Sequence, residues 1–182
     1  MKNLDPTGLK RLHRDWRRKT TQQISLILDS VQTPYNVGTI IRTSAALGVE
    51  HIWLVGSTES PNHNKTNKTA MGTQRYVEFT TVETPTEAIT AAKAAGYTVV
   101  GIELADDAVP LHEVDLSGKV CLVVGHEDRG LSKEALALLD AAGYIPQTGK
   151  VGSLNVGVAT SIAIAEARRQ GWQPQPATRQ DL

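Results

Sequence analysis

From residue 24 onward, short β-rich apolar runs alternate with stretches of helical periodicity. That alternation confines the chain to a mostly parallel sheet covered by helices, because parallel neighbours need a crossover between them and helices are the usual crossover. The runs fall at 24–28, 51–55, 76–81, 97–102, 120–124 and 143–145, and the helical patterns at about 37–46, 85–95, 132–141 and 156–169. The expected fold is α/β and Rossmann-like, with helices on both faces of the sheet. Ser132 with Glu134 in the first turn reads as a helix start, and Gly48, Gly96 and Gly143 stand where glycines end helices. Residues 57–69, rich in Ser, Asn, Lys and Thr, read as a loop with at most a short helix. A length of 182 residues with 40% hydrophobic and 21% charged composition suits one globular domain rather than two. The expected organisation is a basic helical segment over 1–20, one domain over 21–172 and a frayed tail over 173–182.

Charge is distributed unevenly. The chain is formally neutral, yet Lys2, Lys10, Arg11, Arg14, Arg17, Arg18 and Lys19 against Asp5 and Asp15 give the first 20 residues a net +5. Leu9, Leu12 and Trp16 recur at helical spacing, so this segment reads as a basic amphipathic helix. Such a helix is either a solvated surface or a contact for phosphates. No apolar run approaches the roughly 20 residues that span a bilayer, and the first residues lack a signal-type apolar stretch, so a soluble, cytoplasmic protein with no membrane partner is expected.

The fingerprints that would name a common nucleotide or hydrolase site are absent. There is no G-x-G-x-x-G after the first strand, no G-x-x-x-x-G-K-[ST] and no G-x-S-x-G. His13, His51, His63, His112 and His126 show no ligand spacing, so no metal is expected, and the lone Cys121 lies in an apolar run where burial is the default.

Three segments carry polar groups where an α/β sheet binds ligands, beyond the carboxyl ends of its strands. In Pro34-Tyr-Asn-Val-Gly-Thr-Ile-Ile-Arg42, Asn36 suits a helix N-cap, and Arg42 among isoleucines and alanines is either in use or paired with a structural acid. Val124-Gly-His-Glu-Asp-Arg-Gly-Leu-Ser132 sets two glycines, two acids and an arginine directly after the most apolar run. Glycines let the backbone wrap a ligand, although Glu127 or Asp128 capping the next helix would be an ordinary explanation. Ile145-Pro-Gln-Thr-Gly-Lys-Val-Gly-Ser-Leu-Asn155 leads into a helix of small residues suited to close packing or a subunit interface, and Ser153 or Asn155 would cap it.

Together these segments, with Lys68-Thr-Ala-Met-Gly-Thr73, resemble the motifs of the SPOUT superfamily of RNA methyltransferases, and within it the TrmH (SpoU) branch of 2′-O-ribose methyltransferases. The resemblance covers about residues 24 to 169. It implies a C-terminal deep trefoil knot, S-adenosylmethionine as cofactor, a homodimer, and RNA, most readily tRNA at a D-loop guanosine, as substrate. It assigns cofactor contacts to Gly125, Ile145 and Leu154, and the methyl-transfer centre to Asn36, Arg42, Glu127, Ser153 and Asn155. Arg169 corresponds to a position associated with RNA handling, and the basic N-terminal segment then reads as an RNA contact through Arg11 and Arg14. Glu127 is expected to hold Arg42 or another basic partner, and Asn36 to orient Arg42 or the ribose. His126 and Gln147 depart from the usual residues of the family. The competing readings are the same chemistry on rRNA and a catalytically silent RNA-binding module.

Overall fold

The computed structural model describes residues 2–172. Its strands are β1 (Gln23–Asp29), β2 (His51–Val55), β3 (Glu78–Val82), β4 (Thr98–Ile102), β5 (Val109–Pro110), β6 (Lys119–Val124) and β7 (Ala141–Tyr144). Its helices are α1 (Pro6–Arg17), α2 (Pro34–Leu47), α3 (Asn64–Ala70), α4 (Pro85–Ala94), α5 (Lys133–Leu136) and α6 (Val156–Gly171). The strands form one sheet in the order β3-β2-β1-β6-β4-β7-β5, and every neighbouring pair is parallel.

Alternation along the central strands sorts the core into two layers. Ile24, Leu26 and Leu28 of β1 and Val120, Leu122 and Val124 of β6 pack with Val37, Ile40 and Ile41 of α2 and Ala163, Ile164 and Ala167 of α6. Ile27, Cys121 and Val123 point the other way, to Ala88, Ile89 and Ala92 of α4 and Ala135 of α5. Both faces are covered, so β1 and β6 are apolar almost throughout. Chain order runs outward from β1 to β3, and β6 is later inserted between β1 and β4. The carboxyl end of β6 therefore stands where the winding direction reverses, the position at which open α/β sheets form a crevice.

Several expectations need correction. The helix expected over 132–141 is a single turn, α5, with Ser132 as its cap, accepting the amide of Ala135. Beyond it the Asp140 amide donates to the Val99 carbonyl and the Asp140 carboxylate accepts the Val99 amide, so the chain is drawn onto the start of β4 instead of continuing to wind. Gly143 does not end a helix. It lies in β7, where a Cβ would stand 2.9 Å from Val114 Cγ2. The two-residue β5, which contains a proline, carries too short a pattern to be read. Gly48 does end α2 in the left-handed conformation, at φ 71°, and the helix within 57–69 is α3, which ends at Ala70. The expected tail, 173–182, lies outside the described residues.

Arg168 fastens α6 to the end of α2. Its side chain is buried, donating from Nε to the Leu47 carbonyl at 2.6 Å and from one terminal nitrogen to Gly48 at 2.5 Å. The other terminal nitrogen donates to the Gln22 carbonyl at 2.9 Å. Two of these carbonyls close the C-terminus of α2, where a cation is favoured by the helix dipole. Burial lowers the guanidinium pKa and Glu50 opposes that shift, but a guanidinium stays protonated throughout the working range. Arg168→Met should cost about 2–4 kcal/mol, because it leaves buried carbonyls without donors. Urea unfolding of the two proteins measures this, and a cost below about 1 kcal/mol would show that the carbonyls find other partners.

Candidate active site

A cleft of about 510 Å³ opens at the carboxyl ends of β4, β6 and β7. Two loops supply most of its wall, the turn after β6 and the segment between β7 and α6. The first is very tight. His126 and Gly130 exchange both backbone hydrogen bonds, at 3.0 and 2.9 Å. A Cβ on Gly125 would stand 2.2 Å from the Gly130 carbonyl carbon and oxygen. Those neighbours are backbone, so only glycine fits at 125. Glu103, from the end of β4, closes the turn by accepting the Leu131 amide at 2.9 Å.

Glu127 leaves this turn and crosses to α2. One carboxylate oxygen accepts the Thr33 amide at 2.9 Å and the Asn36 side-chain Nδ2 at 2.9 Å, and the other accepts the Gln32 amide at 3.3 Å. Thr33 is the N-cap of α2 but makes no side-chain capping bond. The helix thus takes its terminal acceptor from a carboxylate remote in sequence, with the sign that its dipole favours. Asn36 passes the connection on, its Oδ1 accepting Asn155 Nδ2 at 2.8 Å. Asn155 Oδ1 in turn accepts the amides of Gly157 and Val158 and caps α6. One hydrogen-bonded line therefore joins the β6 turn, the start of α2 and the start of α6.

The structure treats the expected residues unequally. Gly125, Glu127, Ile145, Ser153 and Leu154 all line the cleft, and Asn36 and Asn155 stand behind it through the line just described. Asn36 is not an N-cap, because α2 begins at Pro34 and Asn36 lies within its first turn with its side chain turned to Glu127. Arg42 is not held by Glu127 or Asn36. It is exposed on the flank of α2 with its guanidinium against the Met71 sulfur, roughly 9 Å along the helix axis from Asn36. Arg169 is also away from the cleft, roughly 21 Å along α6 from Asn155. It forms a two-bond pair with Glu166, both contacts at 2.7 Å. Arg11 and Arg14 are exposed on α1, a helix with no buried residue.

Two residues were missed. Glu103 follows the apolar run 97–102 directly, and a carboxylate at a strand's carboxyl end was the available signal. Arg168 shares a helical stripe with the buried Thr160, Ala163, Ile164 and Ala167, so the phase of α6 already distinguished it from Arg169. The imidazole of His126 lines the cleft, and its Nδ1 accepts the Asp128 amide at 3.1 Å. In the neutral ring the proton is then on Nε2, which makes His126 a donor rather than a ready base. Among the described residues no group of His, Cys, Asp or Glu is arranged to hold a metal, and no helix is long and apolar enough to cross a membrane.

Burial by itself raises the Glu127 pKa, but the bonds from Asn36 and from the Thr33 amide outweigh it and hold the carboxyl down, from 4.5 to about 2. A depressed carboxylate contributes stability that is complete above its unfolded value and is lost as pH falls through the folded one. The native protein should lose stability between pH 4.5 and about 2, and Glu127→Gln should flatten that limb. Urea midpoints across this range test the expectation, and parallel limbs for the two proteins would refute it.

Residues 23–165 match the SpoU rRNA Methylase family. The tRNA (guanosine(18)-2′-O)-methyltransferase of Escherichia coli (strain K12) is 32% identical over 167 residues, 92% of this chain and 72% of that protein. Its namesake in Thermus thermophilus is 36% identical over 154 residues, 84% of this chain and 78% of that protein. A crystal structure of an AdoMet-bound rRNA methyltransferase from Sinorhizobium meliloti has a TM-score of 0.77 at 32% identity, covering 91% of this chain and 70% of that one. With the match running through both loops of the cleft and the helices tied behind it, the chain belongs to the SpoU methylase family.

Proposed function

We propose that the protein is an S-adenosylmethionine-dependent 2′-O-ribose methyltransferase acting on tRNA, at a guanosine of the D-loop. The observation that carries the reading is the cleft at the end of β6, whose loops are tied by Glu127, Asn36 and Asn155. The two relatives named above for guanosine 18 of tRNA supply the substrate class. The working domain is residues 21–172, with 1–20 as its basic extension, and action on tRNA implies the cytoplasm.

The cleft suits the methyl donor in size and in chemistry. Its volume is within the range of small-molecule sites. Ile102, Leu104, Ile145, Leu154 and Val156 offer apolar walls to an adenine, while Glu103, Glu127 and Asp128 offset Arg129 and favour a cation. Bound there, S-adenosylmethionine would supply an electrophilic methyl group, which would pass from its sulfonium to a ribose oxygen as the carbon–sulfur bond breaks and the sulfur leaves as a neutral thioether. Gly125, Ile145 and Leu154 would hold the donor, and Ser153 lies where it can bond a ribose or a donor oxygen. Glu127 and Asn155 fix the loops, so their contribution is alignment and exclusion of water. Arg42 would swing from Met71 to the RNA and stabilise negative charge growing on the ribose oxygen, and the proton would leave through phosphate or water.

The fold is proposed to close as a deep trefoil knot. Residues 145–154 share a cleft with the β6 turn, and α6 then packs against α2, β4 and β6, which supports that path. A homodimer is proposed through the outer side of α6 and the start of α2. Val158 (46% exposed), Ile162 (39%) and Tyr35 (64%) leave an apolar face there. Arg11 or Arg14 of one subunit would reach the other's RNA.

Incubation with S-adenosylmethionine and an unmodified tRNA transcript, followed by nucleoside mass spectrometry, should yield 2′-O-methylguanosine. Arg42→Ala should slow that reaction by about 10² or more while calorimetry shows unchanged donor affinity. Transfer to rRNA fragments but not to tRNA would favour the rRNA reading that the Sinorhizobium neighbour suggests, and transfer to neither would leave a silent RNA-binding module. Sedimentation at micromolar concentration should give twice the 19.6 kDa chain mass. A monomer would reject the dimer.

A further inference from the structure

At the opposite end of α6 a second cleft, of about 740 Å³, lies between α1, the last turn of α2 and the last turn of α6. Trp16 and Trp172 meet on its wall, their rings 4.7 Å apart between centroids and tilted by 49°. Each keeps more than a third of its surface exposed, 39% and 36%, whereas Trp53, within the core, keeps 8%. A large indole is normally placed where it removes apolar area from water. Two adjoining indoles left half open on a cleft wall do little for the core, and α1 contributes no buried residue at all.

Arg17 and Arg168 line this cleft and no acidic residue does. Lys19 places its ammonium 3.8 Å from the Trp16 ring centroid. Aromatic faces interleaved with cations form the platform on which single-stranded nucleic acid is held, bases stacked on the rings and phosphates paired with the cations. An apolar peptide would have no use for the cations, and a second copy of the same face would set cations against cations.

We propose that this cleft is an accessory RNA-binding site that stacks one unpaired nucleobase on Trp16 and Trp172, with Arg17 and Lys19 on the flanking phosphates. The proposal rests on the RNA substrate inferred above. Val156 lines the first cleft and Arg168 the second, so the two are roughly 18 Å apart along α6. One RNA occupying both must extend over several nucleotides, and the accessory site would affect capture of the substrate rather than methyl transfer itself.

The test is fluorescence anisotropy with a labelled, unstructured hexaadenylate, together with steady-state methylation of tRNA. Trp16→Leu keeps an apolar side chain and should weaken hexaadenylate binding about tenfold and raise the KM for tRNA by a similar factor, with kcat and S-adenosylmethionine affinity unchanged. Trp16→Phe should restore most of the binding. Native affinity in Trp16→Leu, or equal losses in both variants, would overturn the stacking site. Unchanged protection of the α1 backbone amides from hydrogen exchange shows that α1 is still docked, and protection lost equally in both variants would assign Trp16 a structural role and also overturn it. Tryptophan-dependent RNA binding without methyl transfer would reject the proposed function and leave this site standing, whereas methylation indifferent to Trp16 would do the reverse.

Discussion

A single carboxylate ties the β6 turn of the cleft to the start of α2. Glu127 projects from a turn whose shape is fixed by glycine-only contacts and accepts two backbone amides and one side-chain amide at the start of α2. Without it, the β6 turn would lose its tie to α2 and keep only those its far end makes to Glu103 beyond β4 and Asp29 of β1. The line through Asn36 to Asn155 extends the same restraint to α6. Since Asn155 is the cap of α6, the position of that helix and the floor of the cleft are set together.

Seen with Arg168, this restraint acquires a counterpart. Asn36 joins Asn155 at the N-terminal end of α6, and Arg168 joins the C-terminal carbonyls of α2 near the other. Between them Thr43 and Ser161 share a hydroxyl hydrogen bond at 3.1 Å. The two helices are therefore fastened at both ends and in the middle by polar groups, over a face built from small residues such as Gly157 and Ala163. Helices held this way keep their relative register, and register is what a site assembled from both of them requires. Apolar packing alone, indifferent to sliding by a turn, would not supply it.

The layers of this fold were legible because strands buried on both faces and helices packed on them leave clear periodicities, as β1, β6 and α4 do. The short elements were not. The helix pattern after Ser132 was overridden by pairing with β4 through Asp140, a contact between segments about 40 residues apart. At the site, the glycines, Glu127 and Asn155 were identified because each sits at a strand end or a helix start. What local sequence does not carry is direction. Asn36 suits a cap by residue type, yet its neighbour in space is a carboxylate 91 residues later. Arg42 sits among apolar residues in the chain, but its phase on α2 turns it to the surface.

The proposed reaction also has a proton to dispose of, and the side chains nearest the cleft are poorly suited to take it. His126 presents a donor, because its other nitrogen is engaged by the Asp128 amide. Glu127 is held as a carboxylate whose pKa, about 2, makes it a weak base. The one cysteine, Cys121, lies inside β6 away from the cleft, fully buried with its thiol pushed up to about 12. A site whose nearest side chains include no strong base, with the proposed Arg42 guanidinium exposed on the flank of α2, is better suited to stabilising an alkoxide as it forms than to removing its proton beforehand. Displacement on a sulfonium permits this, since the electrophile is charged and the oxygen grows more acidic as the new bond forms. The architecture is then one of alignment and field, and the attachment of the β6 turn to α2 and α6 is the means by which both are maintained.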